Sequence, residues 1–210
     1  TLPAKDFLWA RNTLTQRGIG PVSVATVEVD ASRLKNGDVA GIGLLNMPCA
    51  WMGLVKEGKN YVLRWYDQAS EQQKDAQIGD KVSLRITGDF HRARAQFSYS
   101  VDGKTFTNVG DSVRMPYQLK TFQGTRYALF AYNTSDKSGG YAQFDNFIVN
   151  EPMADRSGNL PLGKVVTLVN IGSGNPAWAN PHGMLHSAAK GSKDANGAGC
   201  RFRVHDRGQG

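Results

Sequence analysis

The residues from Val39 to Val55 read VAGIGLLNMPCAWMGLV, two short apolar runs on either side of the group Asn46-Met47-Pro48. Proline cannot donate a backbone hydrogen bond and an Asn-x-Pro group favours a turn, so we predict two strands folded back on each other. Glycine leaves little side chain on such strands, which either weakens them or lets another backbone or a flat ligand come close. The glycines concerned are Gly41, Gly43 and Gly53.

Alternating apolar and polar residues predict further strands on both sides of this hairpin. In Tyr61–Tyr66, the even-numbered residues are expected to face one side and the odd-numbered residues the other. The polar stretch Asp67–Asp80 is predicted to be a long loop. The predicted strands span Val22–Val29, Tyr61–Tyr66, Lys81–Phe90, Arg94–Val101, Thr125–Thr134 and Tyr141–Val149.

The pattern along the chain predicts three regions. Residues 1–150 hold these strands with turn signals between them and no helical period, which predicts an all-β fold, an antiparallel β-sandwich of the jelly-roll type. Residues 151–162, EPMADRSGNLPL, have little apolar content and are predicted to be a linker. Residues 163–210 hold one clear strand, Val165–Asn170, and are predicted to form an incomplete β-rich extension, because so short and polar a stretch makes a poor core.

The net charge of +7 would suit an anionic partner such as nucleic acid or an acidic polysaccharide. The 25 lysines and arginines are, however, scattered singly, and the densest clusters are short. We therefore interpret them as solvated surface charge and expect no nucleic-acid partner. The sequence has no run of about 18 apolar residues, so no membrane-spanning helix is predicted.

The cysteines and histidines form no metal-ligand pattern. Cys49 and Cys200 are far apart in the sequence, and we predict buried free thiols rather than a disulfide. His182 and His186 lie close together, but in a segment rich in glycine and proline that lacks helical context. No zinc site is predicted there.

Five segments, in the same order and spacing, resemble the C-terminal β-sandwich of family 43 glycoside hydrolases of the β-xylosidase and arabinofuranosidase type. They are NTLTQRGIGP (Asn12–Pro21), NGDVAGIGLL (Asn36–Leu45), AWMGLV (Ala50–Val55), FSYSVDGKTF (Phe97–Phe106) and GGYAQFDNF (Gly139–Phe147). The resemblance implies a concanavalin A-like sandwich. In that family the sandwich follows a five-bladed catalytic propeller and packs against it near the active-site mouth, and some such sandwiches are classed as xylan-binding modules.

The resemblance implies two partners, a family 43 catalytic propeller and xylan or arabinoxylan oligosaccharides. Since no propeller is present, we expect this chain to be a fragment of a longer hydrolase that is secreted or periplasmic. The tail resembles the first repeat of a trefoil-like sugar-binding module, through VVTLVN (Val165–Asn170) and GCRFRVHDRGQG (Gly199–Gly210).

A catalytic carboxylate set is not predicted within the chain. Jelly-roll glucanases carry their acid and nucleophile on one strand face as E-x-D-x-x-E, because alternate strand residues point the same way. Glu28-Val29-Asp30 begins this pattern, but Arg33 stands where the second glutamate is needed. We expect a non-catalytic accessory domain. The alternative is part of an active β-xylosidase or arabinofuranosidase whose catalytic residues lie outside this chain.

Sugar-binding surfaces use aromatic rings as platforms for the apolar face of a pyranose, with polar side chains to bond its hydroxyls. Trp51 is the first candidate, because the small residues around it are expected to leave its ring accessible. The alternative for any strand aromatic is a place in the core, and Arg17 could instead pair with a charge that holds the sandwich to the propeller. The predicted carbohydrate-binding residues are Trp51, Tyr132, Asn46, Gln16, Arg17 and Arg64.

No cofactor is expected to be required, but a structural calcium ion is one hypothesis. Jelly-roll sugar modules often hold calcium with a carboxylate from the last strand and another near the start, since calcium takes six to eight oxygen ligands. Asp145 in FDNF would supply the first, and Asp6 or Asp30 the second. The alternative is a surface aspartate paired with a lysine.

Overall fold

A computed structural model describes residues 1–117, 119, 121, 124–152, 161–170, 172–188 and 193–205. The chain divides into two compact units, Thr1–Ala154 and Asp155–Gly210. In the part of the chain that the structure describes, no helix has the length and apolar character needed to cross a membrane.

The first unit consists of two antiparallel sheets, and it confirms the predicted all-β sandwich. Sheet A contains β1 (Asn12–Arg17), β3 (Asp38–Leu45), β4 (Ala50–Glu57), β5 (Asn60–Asp67), β6 (Gln72–Ile78) and β10 (Arg126–Asn133). Sheet B contains β2 (Val22–Asp30), β7 (Lys81–Asp89), β8 (Arg94–Ser100), β9 (Thr107–Arg114) and β11 (Gln143–Asn150). The strand orders are β1-β10-β3-β4-β5-β6 and β11-β2-β7-β8-β9.

The main core lies between the two sheets and is built from alternate residues of each strand. In β5 the odd-numbered Leu63 and Trp65 are 1% exposed and belong to this core, whereas Val62 and Tyr66 pack on the other face of sheet A. The predicted division of that strand is therefore confirmed. Full burial of one such large apolar side chain contributes about 1.5–3 kcal/mol.

The predicted hairpin is confirmed as β3 paired with β4, with Val39 opposite Val55 and Leu44 opposite Ala50. The predicted loop over Asp67–Asp80 is wrong, because its middle forms β6 and pairs with β5. β6 is an edge strand, and only Ala76 and Ile78 at its end pack against the main core. The rest of β6 is exposed, so its sequence carries too short an alternation to predict a strand.

The second unit holds two short antiparallel pairs. They are β12 (Val165–Val166) with β15 (Phe202–Arg203), and β13 (Ala177–Ala179) with β14 (Leu185–Ser187). The predicted strand over Val165–Asn170 is thus shorter than expected. Most of the predicted linker and the final five residues of the trefoil-like motif lie outside the described residues. Cys49 and Cys200 are buried free thiols, as predicted.

Candidate functional site

The face of sheet A that is turned away from sheet B carries a second apolar cluster. Strand register places its residues in transverse rows, in which neighbours lie on adjacent strands and point to the same side. The rows are Tyr132–Val39–Val55–Val62, Phe130–Gly41–Gly53–Arg64 and Ala128–Gly43–Trp51–Tyr66. Aromatic rings therefore stand on both sides of β3, which itself offers glycine at two of the three positions.

The N-terminal segment covers part of this face. It makes a single 3-10 turn, Phe7–Trp9, and the ring of Phe7 lies 4.5 Å from that of Phe130, centroid to centroid. Gly43 makes this approach possible, because a Cβ atom there would stand only 2.9 Å from Cζ of Phe7. The predicted close approach of another backbone is confirmed at Gly41 and Gly53, where an added Cβ atom would clash with Met52 O and Ala40 O, respectively. At Gly43 the close neighbour is instead a side chain, which the sequence did not predict.

The prediction that the Trp51 ring is accessible is wrong. Trp51 is only 7% exposed and packs against Phe130 at 5.6 Å and Tyr66 at 6.1 Å, measured between ring centroids. Tyr132 is likewise buried, at 4% exposure. The space that glycine leaves on β3 is filled by aromatic rings, so the small neighbours bury Trp51 instead of exposing it.

A cleft of about 430 Å³ opens on the uncovered part of this face. Three aromatic side chains, Trp51, Tyr66 and Tyr132, line it together with the polar residues Asp6, Arg64 and Gln73. It therefore brings together three of the residues predicted to bind carbohydrate, Trp51, Tyr132 and Arg64. Tyr66 is half-buried and offers more ring surface than Trp51 does.

Arg64 is held in a fixed position on the cleft wall. Its Nε and Nη2 donate to the two carboxylate oxygens of Asp75 at 2.9 and 2.7 Å, and Nη2 also donates to Glu57 at 3.0 Å. The hydrogen bonds that Arg64 donates to Asp75 are the largest cause of the raised pKa of Arg64. Nη1 makes no hydrogen bond to the described residues, so the Arg64 guanidinium retains donors for a ligand.

Asp6 lies at the cleft with an unsatisfied carboxylate. Its Oδ1 is buried and has no hydrogen-bond partner among the described residues. Burial and, secondarily, the charge of Asp6 raise the pKa of the Tyr132 hydroxyl and raise that of the Cys49 thiol to about 12. Both groups therefore stay protonated near neutral pH, and the Tyr132 hydroxyl remains a hydrogen-bond donor.

The structure places three other predicted carbohydrate-binding residues away from this cleft. Asn46 is buried and structural, because its Nδ2 donates to the Pro116 carbonyl at 2.9 Å and to Thr125 Oγ1 at 3.0 Å. Gln16 and Arg17 are exposed on β1, the strand at the far edge of sheet A. A contact between Arg17 and a catalytic domain stays a prediction.

The aspartates of the calcium hypothesis fall into two cavities. Asp6 lines the cleft on sheet A, whereas Asp145 is exposed on β11 and lines a cavity with Asp30. Hydrogen bonds from Ser32, and then from Lys81, lower the pKa of Asp30 to about 2. Within the described ranges, no group of three or more His, Cys, Asp or Glu residues could hold a metal. Calcium binding by Asp30 and Asp145 stays a prediction.

Sequence reasoning missed the residues that shape the cleft around Arg64. Asp75 lies in the stretch predicted to be a loop, and no sequence pattern around Phe7 indicated its role. The alternation in Tyr61–Tyr66 did indicate that Arg64 and Tyr66 share a face. Asp75 could be predicted as the partner of Arg64 only if the register between β5 and β6 were known, because that register places the two residues opposite each other.

The family model described as the beta xylosidase C-terminal concanavalin A-like domain matches residues 4–150. The chain therefore belongs to this family, the C-terminal domains of family 43 glycoside hydrolases (GH43). No curated protein sequence matches the chain.

Solved structures agree with this family. A bifunctional GH43-CE protein from Bacteroides eggerthii is 30% identical, with a TM-score of 0.68 over 73% of this chain and 20% of its own. A GH43 glycoside hydrolase engineered to display both endo-xylanase and exo-arabinofuranosidase activity is 25% identical, with a TM-score of 0.64 over 71% of this chain and 33% of its own. The GH43 protein BlXynB from Bacillus licheniformis, 21% identical with a TM-score of 0.58 over 70% of this chain and 31% of its own, shares the fold. This chain thus matches only a fifth to a third of these proteins.

Proposed function

We propose that the sandwich is a non-catalytic accessory domain of a xylan- or arabinoxylan-degrading glycoside hydrolase, and that the cleft on sheet A binds a sugar unit of the polysaccharide. The observation that carries the proposal is the combination of a half-buried aromatic ring with an arginine held rigidly beside it. The similarity to a GH43 enzyme with endo-xylanase and exo-arabinofuranosidase activity supports the choice of xylan-type substrates.

The cleft has the size and chemistry that a sugar unit needs. Its volume of about 430 Å³ falls in the range of small-ligand sites, roughly 300–1,000 Å³. The Tyr66 ring offers an apolar surface for the C–H face of the sugar, with Trp51 fixing it from behind. Arg64 Nη1 and the Tyr132 hydroxyl would donate hydrogen bonds to sugar oxygens.

A second candidate function is a structural part of an active β-xylosidase or arabinofuranosidase whose catalytic residues lie outside this chain. The similar GH43 structures extend well beyond the portion that this chain matches. Several large apolar side chains of the sandwich are strongly exposed, which suits a surface that packs against another domain. Among the described residues of the sandwich, the most exposed are Tyr117 at 80%, Leu14 at 75%, Val101 at 71%, Leu119 at 67% and Trp9 at 64%.

Isothermal titration calorimetry separates these functions. Xylo-oligosaccharides and soluble arabinoxylan are titrated into the purified chain at low and high salt. We expect heat that is insensitive to salt, because a neutral sugar displaces no counterions, whereas nucleic acid would show a steep dependence. Tyr66→Ala should abolish the heat, and the exposed control Tyr117→Ala should retain it. Absence of heat with every xylan would favour the docking role alone.

A further inference from the structure

We infer that the cleft on sheet A selects neutral sugars and rejects sugars that carry a carboxylate, and that Asp6 makes this selection. The inference rests on the proposed function, because it names the class of ligand for the same cleft. Its basis is the charge arrangement around the cleft. Asp6 carries an unpaired negative charge, and Arg64 is already paired with carboxylates of the protein, whereas a site for acidic sugars needs an unpaired cation.

The backbone at Asp6 is fixed by its neighbour in the chain, although the Asp6 carboxylate makes no hydrogen bond to the described residues. The next residue, Phe7, is 1% exposed and wedged between Gly43 and Phe130, which fixes the backbone of the segment. The Asp6 carboxylate nevertheless accepts no hydrogen bond from the described residues. Its Oδ1 is buried, but the side chain as a whole is only half-buried and lines the cleft, so Oδ2 is the oxygen that a ligand can reach. Since carboxylate oxygens in proteins almost always have a partner, this open acceptor indicates a ligand that donates. A sugar hydroxyl is such a donor.

The cations at the cleft are already engaged. Arg64 is paired with Asp75 at 2.7 Å and with Glu57 at 3.0 Å, so its charge is balanced within the protein. Lys56 donates to the Lys59 carbonyl at 3.2 Å, and its ammonium lies 3.6 Å from the ring centroid of Tyr61. Lys56 keeps its charge, but Tyr61 packs against the main core, so the Lys56 ammonium is directed towards the face of sheet A opposite to the cleft. Of these two cations that line the cleft, Arg64 is thus paired with carboxylates and Lys56 is turned away from an incoming anion.

These charges predict opposite effects for two kinds of sugar. A neutral sugar can donate a hydroxyl to Asp6 and accept from Arg64 Nη1, so both protein groups gain a partner. A uronic acid brings a second carboxylate next to Asp6 and Glu57, and like charges placed together without a counterion weaken binding strongly. Glucuronic acid side groups should therefore be excluded from the cleft.

The test compares two ligands of nearly the same shape, a glucuronic acid-substituted xylo-oligosaccharide and its carboxyl-reduced, neutral counterpart. We expect calorimetry on the purified chain to give an affinity about tenfold higher for the neutral ligand at low salt. High salt should narrow this ratio, because it screens the repulsion.

Variants assign the effect to Asp6. Asp6→Asn keeps an oxygen acceptor and removes the charge, so the affinity ratio should fall to about threefold or less. Asp6→Ala should weaken binding of the neutral ligand by about tenfold. The matched control Asp111→Asn removes the same charge from an exposed site on β9 and should change neither value. Circular dichroism of each variant verifies that it is folded. The salt series on the unaltered protein tests the repulsion between Asp6 and the ligand carboxylate without any substitution.

Equal affinities for the two ligands at low salt, or an unchanged ratio in Asp6→Asn, would overturn the inference while leaving sugar binding intact. Absence of binding by every oligosaccharide would overturn the proposed function as well. The two failures are therefore distinguishable.

Discussion

At the scale of single residues, two aspartates show how burial of the same group can serve different purposes. Asp38 is fully buried and accepts hydrogen bonds from Thr1 Oγ1, the Asn133 side chain and the backbone N–H groups of Lys35 and Gly140. Asp6 has a buried oxygen with no partner among the described residues. The first arrangement stabilises the fold, whereas the second leaves a carboxylate at the cleft with acceptor capacity for a ligand.

Replacing Asp38 by asparagine should destabilise the sandwich by about 3 kcal/mol at pH 7, because an amide nitrogen would then face backbone N–H donors. Burial alone would raise the pKa of Asp38, but its hydrogen bonds outweigh that effect and lower it. The stability from this carboxylate is thus fully present above its unfolded pKa, about 4, and is lost as the pH falls through the lower folded value. Thermal unfolding across pH should show unaltered protein and Asp38→Asn converging in acid. A constant difference between them would contradict this account.

Replacing Asp6 by asparagine should have the opposite sign. No hydrogen bond from the described residues is lost, and an unpaired charge with one buried oxygen is removed, so the melting temperature should stay the same or rise by about 2–4 °C. Differential scanning calorimetry of Asp6→Asn beside Asp111→Asn measures this. A clear fall in melting temperature for Asp6→Asn alone would mean that its carboxylate is a structural group.

Phe7 is the residue on which the covered part of sheet A depends. Phe7→Ala should cost about 3–5 kcal/mol, because a fully buried aromatic ring is deleted between Gly43 and Phe130. Chemical denaturation monitored by far-ultraviolet circular dichroism measures the loss, and Phe7→Leu, which keeps an apolar side chain of reduced size, should lose less. Comparable losses for the two variants would argue against ring packing as the cause.

At the scale of elements, the alternation of residues was sufficient to predict the inner strands and the edge strand β11, but not the edge strand β6. Leu63 and Trp65 alternate with Val62 and Tyr66 because each face of β5 packs against something different. The edge strand β6 has no such pattern, since most of its side chains meet solvent. The burial of Trp51 also could not be predicted, because it packs against Phe130, a residue distant in the sequence that only the fold brings next to it.

The edge strand β6 should matter more for binding than for stability. Asp75→Ala removes the bidentate partner of Arg64, but pairs this exposed contribute only about 0–1 kcal/mol to folding. Affinity for xylo-oligosaccharides should nevertheless fall several-fold, because Arg64 is no longer held at the cleft wall. Calorimetry and thermal unfolding of Asp75→Ala, with Gln77→Ala on the same strand as the control, separate the two effects. A large loss of stability with unchanged affinity would contradict this role.

At the scale of the whole molecule, membership of the GH43 C-terminal domains came from ordered sequence segments spread over the sandwich, and the family match over residues 4–150 agrees with them. The order and spacing of these segments follow from the shared fold, so family membership could be predicted without a structure. The cleft could not be predicted from the sequence, because its walls come from β3, β4, β5, β6, β10 and the N-terminal segment, which only the fold brings together.

The most direct test of the binding cleft is nuclear magnetic resonance of the isotopically labelled chain titrated with a neutral xylo-oligosaccharide. We predict chemical-shift changes that concentrate on the outer face of sheet A, at the Arg64 Nε–H and at the backbone amides of Gly53, Tyr66 and Gln73. Shifts confined to β1 or sheet B, or no shifts at millimolar ligand, would contradict the account.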